Sequence, residues 1–330
     1  LRRYAINLGP VMPSPSLVRL HDRLLEIHAE RPDLAPALDL QRTLLTRELE
    51  LVDMFLAGGL PRLSLPGRYV AAKLRDGIPA LFGEPVPLPQ HLLTLALRDF
   101  CERLATGRTE QTARAIQAAF DGPLQPSAVI SACFGRNQTQ VRALAQHAGV
   151  AADVLWLIAE LAVAPLAHLL QRQLFDGAAT AGAAPPRPVP PRTASAGAVL
   201  TDALAAWDRG FCPACGSWPA LLEAHDEGHT LRCSFCALGW TLASYRCVYC
   251  GNDGESFVTA KPDPDVPGRR IQFCGECGGY AKVLDLPRPT EFPLVAIEDL
   301  ASLDLDMLAI ERQYRRPALP TIARRPAPRA

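Results

Sequence analysis

The chain has 330 residues, 48% hydrophobic and 21% charged, with 34 Lys and Arg balanced by 34 Asp and Glu. That length holds two domains with a sizeable core, the composition excludes a disordered chain, and zero net charge argues for neither nucleic acid nor an anionic membrane as partner. Ten cysteines in a chain this long do not make a small disulfide scaffold; eight stand in CxxC pairs, a spacing that suits metal ions and a reducing compartment such as the cytoplasm.

At the N-terminus, Arg2-Arg3 ahead of apolar residues has the outline of a twin-arginine signal. Asn7, Gly9, Pro10 and Pro13 break that run before an apolar h-region forms, so no export signal is expected. Residues 1–175 are then predicted to form an all-helical bundle of six or seven helices. Ser16 is placed to cap the first helix, with Leu17, Leu20, Leu24, Leu25 and His28 at helical spacing. A second helix spans about 36–57 and stops at Gly58-Gly59. Residues 60–89 carry six prolines and form a loop with one short helix, and helices follow at about 90–106, 109–120, 126–134, 137–147 and 151–175. The most apolar stretch, 149–170, is interrupted by Asp153, Glu160, Pro165 and His168, which predicts a buried bundle helix rather than a membrane span.

Residues 176–199 are rich in Ala, Gly and Pro and form an expected linker, a domain boundary. From 200 to 290 aromatics and strand-like alternation appear together with the CxxC pairs. Residues 291–316 are predicted to hold a C-terminal helix with an apolar stripe of Leu300, Leu303, Met307, Leu308 and Ile310, and 317–330 a disordered Arg- and Pro-rich tail. The fold class expected is α+β and multidomain: a helical bundle, tandem rubredoxin-like or zinc-ribbon hairpin modules, and a closing helix.

The four pairs are Cys212/Cys215, Cys233/Cys236, Cys247/Cys250 and Cys274/Cys277. A tetrahedral four-thiolate site needs two such knuckles face to face, and the residue after the second Cys often needs positive φ. Gly216, Gly251 and Gly278 supply it, whereas the second knuckle has Ala237. The ten-residue spacer ALGWTLASYR between Cys236 and Cys247 lacks a central turn and reads as one strand. A strand of that length separates its ends by roughly 30 Å, whereas ligands of one metal lie within about 4 Å. The outer spacers contain turn signals, HDEGH and PDPDVPG, and can bring the chain back as hairpins. The sequential sorting follows: Cys212, Cys215, Cys233 and Cys236 in site 1; Cys247, Cys250, Cys274 and Cys277 in site 2. An interleaved cross-brace, knuckle one with three and two with four, is the alternative. Ligand type suits zinc and iron about equally.

Cys101 and Cys133 fall in helical segments and read as inert buried thiols, and His225 and His229 as loop residues that the complete cysteine sets do not need. Over 201–290 there are eight Lys and Arg against eleven Asp and Glu, and metal-bound thiolates add negative charge, so a nucleic-acid footprint is missing. Two coordinatively closed sites argue against an enzyme and for a protein-binding module. The rivals are a zinc-ribbon adaptor with purely structural metals and a thiol or sulfur-carrier protein working through one CxxC.

Several of these motifs resemble the FdhE family, accessory proteins of formate dehydrogenase: Cys212-Pro213-Ala214-Cys215-Gly216-Ser217 with Pro219, Leu231-Arg232-Cys233 through Cys236 with Trp240, and Arg246-Cys247 through Cys250. The resemblance continues in Cys274-Gly275-Glu276-Cys277 with Tyr280 and Lys282, and in Glu298-Asp299-Leu300-Ala301-Ser302-Leu303. It is specific over about 208–310 and rests on helical layout over 1–175. It implies a cytoplasmic, non-enzymatic, rubredoxin-like protein that binds two iron ions through all eight cysteines. It further implies binding to the catalytic subunit of respiratory formate dehydrogenase before export, with iron oxidation state as a control on that binding.

Overall fold

The computed structural model describes residues 14–106, 109–180, 196–225, 228–262 and 267–322. The Arg2-Arg3 signal outline, most of the Ala/Pro-rich linker and the end of the Arg/Pro tail lie outside the described residues.

The first half is helical, as its 3.6-residue apolar period requires. The helices are α1 (Pro15–Glu30), α2 (Ala35–Met54), α3 (Gly67–Arg75), α4 (Gln90–Leu104), α5 (Glu110–Ala119), α6 (Pro126–Phe134), α7 (Gln138–Ala148) and α8 (Ala152–Thr180). The cap of α1 is Ser14 rather than Ser16: its hydroxyl accepts from the Leu17 N–H, and Pro15, with φ preset and no N–H to satisfy, opens the first turn. Past α2 the chain widens into a five-residue π turn, 55–59, before the positive φ of Gly58 ends it. Helix α8 is long and apolar enough to cross a membrane, yet 67% of its apolar window is buried inside the fold. It is the axis on which α2, α4, α6 and α7 pack, and Glu160 and His168 are the polar groups that it turns toward the metal region.

The second half begins with α9 (Ala196–Ala205), which lies on α3 and α8. Six strands follow: β1 (Pro219–His225), β2 (Gly228–Cys233), β3 (Gly239–Trp240), β4 (Phe257–Ala260), β5 (Arg269–Cys274) and β6 (Tyr280–Asp285). They form one sheet in the order β3-β2-β1-β6-β5-β4. All pairs are antiparallel except β1 with β6, whose parallel register sets Leu222 opposite Val283. That single parallel pair fuses the two tandem hairpins into a six-stranded mixed sheet.

The spacer ALGWTLASYR is not one strand. Only Gly239–Trp240 pair, opposite Arg232 and Leu231, and the rest bends. The Trp240 indole donates to the Arg209 carbonyl and Arg246 binds Asp208, which folds the spacer back onto the segment before the first knuckle. The closing helix is likewise two helices, α10 (Leu294–Ala301) and α11 (Leu303–Glu311). The Ser302 hydroxyl donates to the Glu298 and Asp299 carbonyls, a back-bond that bends a helix. The break rotates the expected stripe: Val295, Ile297, Leu305 and Ala309 are buried, and Leu303, Met307 and Ile310 face outward.

One hydrophobic core runs from the helices into the first hairpin, taking in Phe55, Phe100, Leu166, Trp207, Leu222, Phe235 and Trp240. A second cluster packs α10 and α11 on the sheet through Val295, Leu305, Ile271 and Phe273. A third joins Ile297 of α10 to Leu20, Leu24 and Leu45 of the α1/α2 hairpin, beside a two-pronged ion pair of Arg23 with Glu298.

Candidate metal centres

Each CxxC closes as the same tight turn. The N–H of the first cysteine donates to the carbonyl five residues on: Cys212 to Ser217, Cys233 to Leu238, Cys247 to Asn252 and Cys274 to Gly279, at 2.8–3.0 Å. The residue after the second cysteine is left-handed in all four, with φ of 84° at Gly216, 58° at Ala237, 81° at Gly251 and 65° at Gly278. The knuckle therefore imposes its backbone even on Ala237, at the cost an L side chain carries there.

The structure brings the thiols together in two sets, Cys212/Cys215/Cys233/Cys236 and Cys247/Cys250/Cys274/Cys277, with all sulfur atoms of a set within 4.8 Å of one another. Knuckles two and three stand in different sets, although the spacer between them is not the expected strand. Closest Sγ–Sγ separations are 3.4 and 3.6 Å in the first set and 3.6 and 3.7 Å in the second. Four bonds of about 2.3 Å in a tetrahedron demand about 3.8 Å between sulfurs, so both sets fit one zinc or one iron ion each. Cys101 and Cys133 are buried in the helical core outside these sets, and burial pushes Cys101 up to about 12 and Cys133 further. His225 and His229 sit on the paired ends of β1 and β2 and belong to neither set.

In each set a sulfur is drawn below the ordinary thiol value, Cys215 in the first and Cys274 in the second. Burial pushes Cys215 up, but its three neighbouring thiols and the Arg136 charge bring it well below the ordinary thiol value, while burial drives Cys212 and Cys236 upward. Burial likewise opposes Cys274, yet the Cys277 N–H, the Asn252 amide and the Cys250 thiol draw it down to about 7. Metal entry must displace the remaining protons, so loading is coupled to pH.

The surroundings of the two sets differ. All four cysteines of the first are buried, and helical-bundle groups reach them. The N–H groups of Ala80 and Leu81 donate to the carbonyls of Pro213 and Ala214 inside knuckle one, at 2.8 and 2.9 Å. His168 Nδ1 lies 3.1 Å from the Cys236 carbonyl, and its ring stacks on Phe292. Arg136 stacks on Phe235, the third residue of knuckle two. In the second set Cys250 and Cys277 are exposed. Its support comes from nearby loops: Asn252 reaches Cys274 Sγ and the Ser256 hydroxyl, and the Tyr249 hydroxyl donates to the Tyr280 carbonyl.

The two centres also touch. A Cβ on Gly210 would fall 1.6 Å from the Val248 carbonyl oxygen, so only glycine lets the approach to knuckle one lie against knuckle three. Trp207, Phe211, Trp218 and Tyr249 form an edge-to-face series between them, with ring centroids 5.1–6.0 Å apart. The C-terminal strap crosses the same face. Arg315 N–H donates to the Gly278 carbonyl, the Trp218 indole donates to the Ala318 carbonyl, and Ile322 lies against Gly216. Residues 317–322, the start of the expected tail, thus pack on the metal region.

Sequence reading missed Arg136, His168 and the 79–82 loop as parts of the first centre. The available signal was the polar pair Glu160 and His168 in an otherwise apolar helix.

No family model matches the chain. Curated relatives do, each named "Protein FdhE homolog". That of Aquifex aeolicus (strain VF5) is 34% identical over 113 residues, 33% of this chain and 40% of the relative. The Shewanella baltica (strain OS223) relative is 32% identical over 102 residues, 30% of this chain and 33% of its own. The Stutzerimonas stutzeri (strain A1501) relative is 30% identical over 125 residues, 36% and 40%. The match spans 33–40% of the length of these relatives. The crystal structure of the FdhE protein from Pseudomonas aeruginosa superposes with a TM-score of 0.54 at 21% identity, covering 93% of this chain and 96% of that one, which is a likeness of fold. Similarity in sequence to FdhE homologues thus covers about a third of the chain, and likeness in fold to the Pseudomonas aeruginosa FdhE protein covers nearly all of it.

Proposed function

We propose that the protein is an accessory protein of formate dehydrogenase that holds two metal ions in its eight knuckle cysteines and docks on a client rather than performing catalysis. The observation that carries the metal reading is the geometry of the thiols: two complete four-sulfur sets at tetrahedral spacing. A set with four protein ligands leaves no open coordination position for substrate, which favours a structural or electronic role over hydrolytic or Lewis-acid chemistry. The client would be the catalytic subunit of respiratory formate dehydrogenase, met in the cytoplasm before export. Iron is the metal assigned, with its oxidation state as a control on docking.

Site 1 lends itself to a second reading. Its burial in the core shared with the helices favours a purely structural ion there, zinc or iron, and confines any redox response to the exposed site 2.

The test is a pull-down of the formate dehydrogenase catalytic subunit by anaerobically purified protein, with metal analysis of the same sample. Recovery of the subunit with two metals per chain is expected. Failure to recover it under reducing and oxidising conditions alike would sink the client assignment, and zinc alone without iron–thiolate absorption would sink the redox role.

A further inference from the structure

Arg136 is a residue whose placement the fold of the bundle alone does not explain. Helix α6 ends at Phe134, and Gly135 keeps an ordinary negative φ. Arg136 then takes the left-handed turn, φ 54°, where glycine is the low-cost choice. The strain directs a guanidinium inward. Its side chain is 4% exposed, its Cζ lies 4.0 Å from the ring centroid of Phe235 in knuckle two, and 4.8 Å from that of Trp156. One nitrogen, Nη2, donates to Glu160 Oε1 at 2.6 Å. The other two, Nε and Nη1, are buried without a well-formed hydrogen bond; beside Arg136 they have the Cys133 thiol, a weak acceptor at best. A buried, unpaired guanidinium N–H costs as much as a lost charged hydrogen bond, so such a group implies an absent counterpart.

The neighbouring chemistry supplies one. Phe235, on which the guanidinium stacks, stands between Cys233 and Cys236 of the thiol-only site, so the charge lies beside that sulfur set. Four thiolates around Zn²⁺ carry a net charge of −2, and around Fe³⁺ −1. Buried charge of that size needs an opposite charge, and the four ligands themselves offer none.

We propose that Arg136 is the counter-charge of metal-loaded site 1, a positioning residue outside the ligand set that makes metal retention there depend on the helical bundle. The proposal rests on the reading that site 1 holds a metal. Glu160 tempers the same charge and fixes the plane of the guanidinium. At site 2 two of the four cysteines are exposed, so solvent can screen the charge there, and the two sites differ in charge compensation as well as in exposure.

The full-length protein loaded with two zinc ions is challenged with excess metallochromic chelator, and release is followed in time. Wild-type protein is expected to release one ion fast and one slowly, and Cys250→Ser, which disables site 2, to show only the slow phase. Arg136→Gln is expected to speed the slow phase about ten- to a hundredfold, the usual cost of losing an outer-sphere partner, and to leave the fast phase alone. Arg136→Lys, which keeps charge and loses the planar stack, retains most of the wild-type slow phase. Glu160→Gln keeps an oxygen for Nη2 but removes the competing charge, so it slows release further; a merely structural ion pair would make it faster. These two variants decide the matter if Arg136→Gln does not fold. An unchanged slow phase in Arg136→Gln, a Lys variant as poor as Gln, or faster release in Glu160→Gln overturns the role of Arg136 while leaving the metal reading intact. Wild-type protein that takes up no metal overturns both.

Discussion

The two metal centres share one local design and differ in everything around it. All four knuckles use the same hydrogen bond and the same left-handed residue, and both sulfur sets have tetrahedral spacing. Site 1, however, lies inside the main core, with bundle backbone on knuckle one and bundle side chains on knuckle two. Site 2 sits at the sheet's far side with two exposed cysteines and loop residues for support. Sulfur geometry is thus a property of each knuckle, whereas the surroundings that would retain an ion are a property of tertiary packing. Site 1 is expected to serve as a joint of the fold and site 2 as the accessible centre.

The strongest way to break this comparison is to remove one ligand from each site. Structural zinc contributes about 10–16 kcal/mol in small metal domains, comparable to the roughly 5–15 kcal/mol that stabilises a typical fold. Cys233→Ser should therefore lose its ion and abolish cooperative helix melting by far-UV circular dichroism. Cys250→Ser should lose one ion and keep that transition. Equal collapse in both variants would show that the sites are embedded alike.

Next in size is the charge cluster that ties the site 2 module to the closing helices. Lys282, on β6 after the last knuckle, is fully buried; its Nζ lies 2.7 Å from the carboxylates of Asp299 and Asp306, and Arg316 joins them. Lys282→Met strands two acids on one remaining cation, and breaking a buried pair costs about 3–5 kcal/mol. Urea melts at pH 7 should show that loss. Burial raises the Asp299 carboxyl, but Arg316 and Lys282 outweigh it and hold it below its ordinary value of 3.8. Its contribution is present above that value and fades as pH falls through the lowered one, so the gap between wild type and variant should narrow in acid. A constant gap down to pH 2 would remove Asp299 from the explanation.

On the site 1 side, Glu48 in α2 is buried, and burial, with Glu160 nearby, raises its carboxyl well above the ordinary value of 4.5. A raised group stabilises fully below its unfolded value and loses that stability as pH climbs toward the folded one. Glu48→Gln, a mimic of the protonated acid, should be neutral in thermal melts at pH 4 and increasingly stabilising toward pH 7. Destabilisation at pH 7 would mean that Glu48 is ionised and paired.

Much of this organisation was legible in the sequence for a physical reason: helices and knuckles are local. Apolar period, Pro and Gly placed the helices to within a few residues, and CxxC spacing singled out the eight sulfurs that the structure gathers. What was not legible depends on distant partners. ALGWTLASYR has strand-like residues, but Trp240 and Arg246 found partners at 208–209 and bent it. The stripe from Leu300 to Ile310 is periodic, yet one hydroxyl, Ser302, split the helix and turned half of the stripe outward. Arg136 carries no motif at all; its meaning arises only where α6 ends against knuckle two.

The smallest predicted effect tests whether the knuckles are interchangeable. Gly251, in site 2, has φ 81° and open space where a Cβ would sit. Gly251→Ala should then cost the left-handed penalty of about 1–2 kcal/mol, offset by about 0.5–1 kcal/mol of unfolded-state entropy, a shift of at most a few degrees in melting, with no steric term. Ala237 already bears that penalty in site 1, at φ 58°, and its buried methyl packs in the sheet cluster with Leu221 and Phe273. Ala237→Gly relieves about 1–2 kcal/mol of strain, loses about 0.8 kcal/mol of methyl burial, and adds about 0.5–1 kcal/mol of unfolded-state entropy. These terms nearly cancel, so its melting temperature should stay within about 2 °C of wild type. A gain as large as the loss in Gly251→Ala would show that the methyl contributes nothing. The embedding of site 1 would then stop short of its second knuckle's turn.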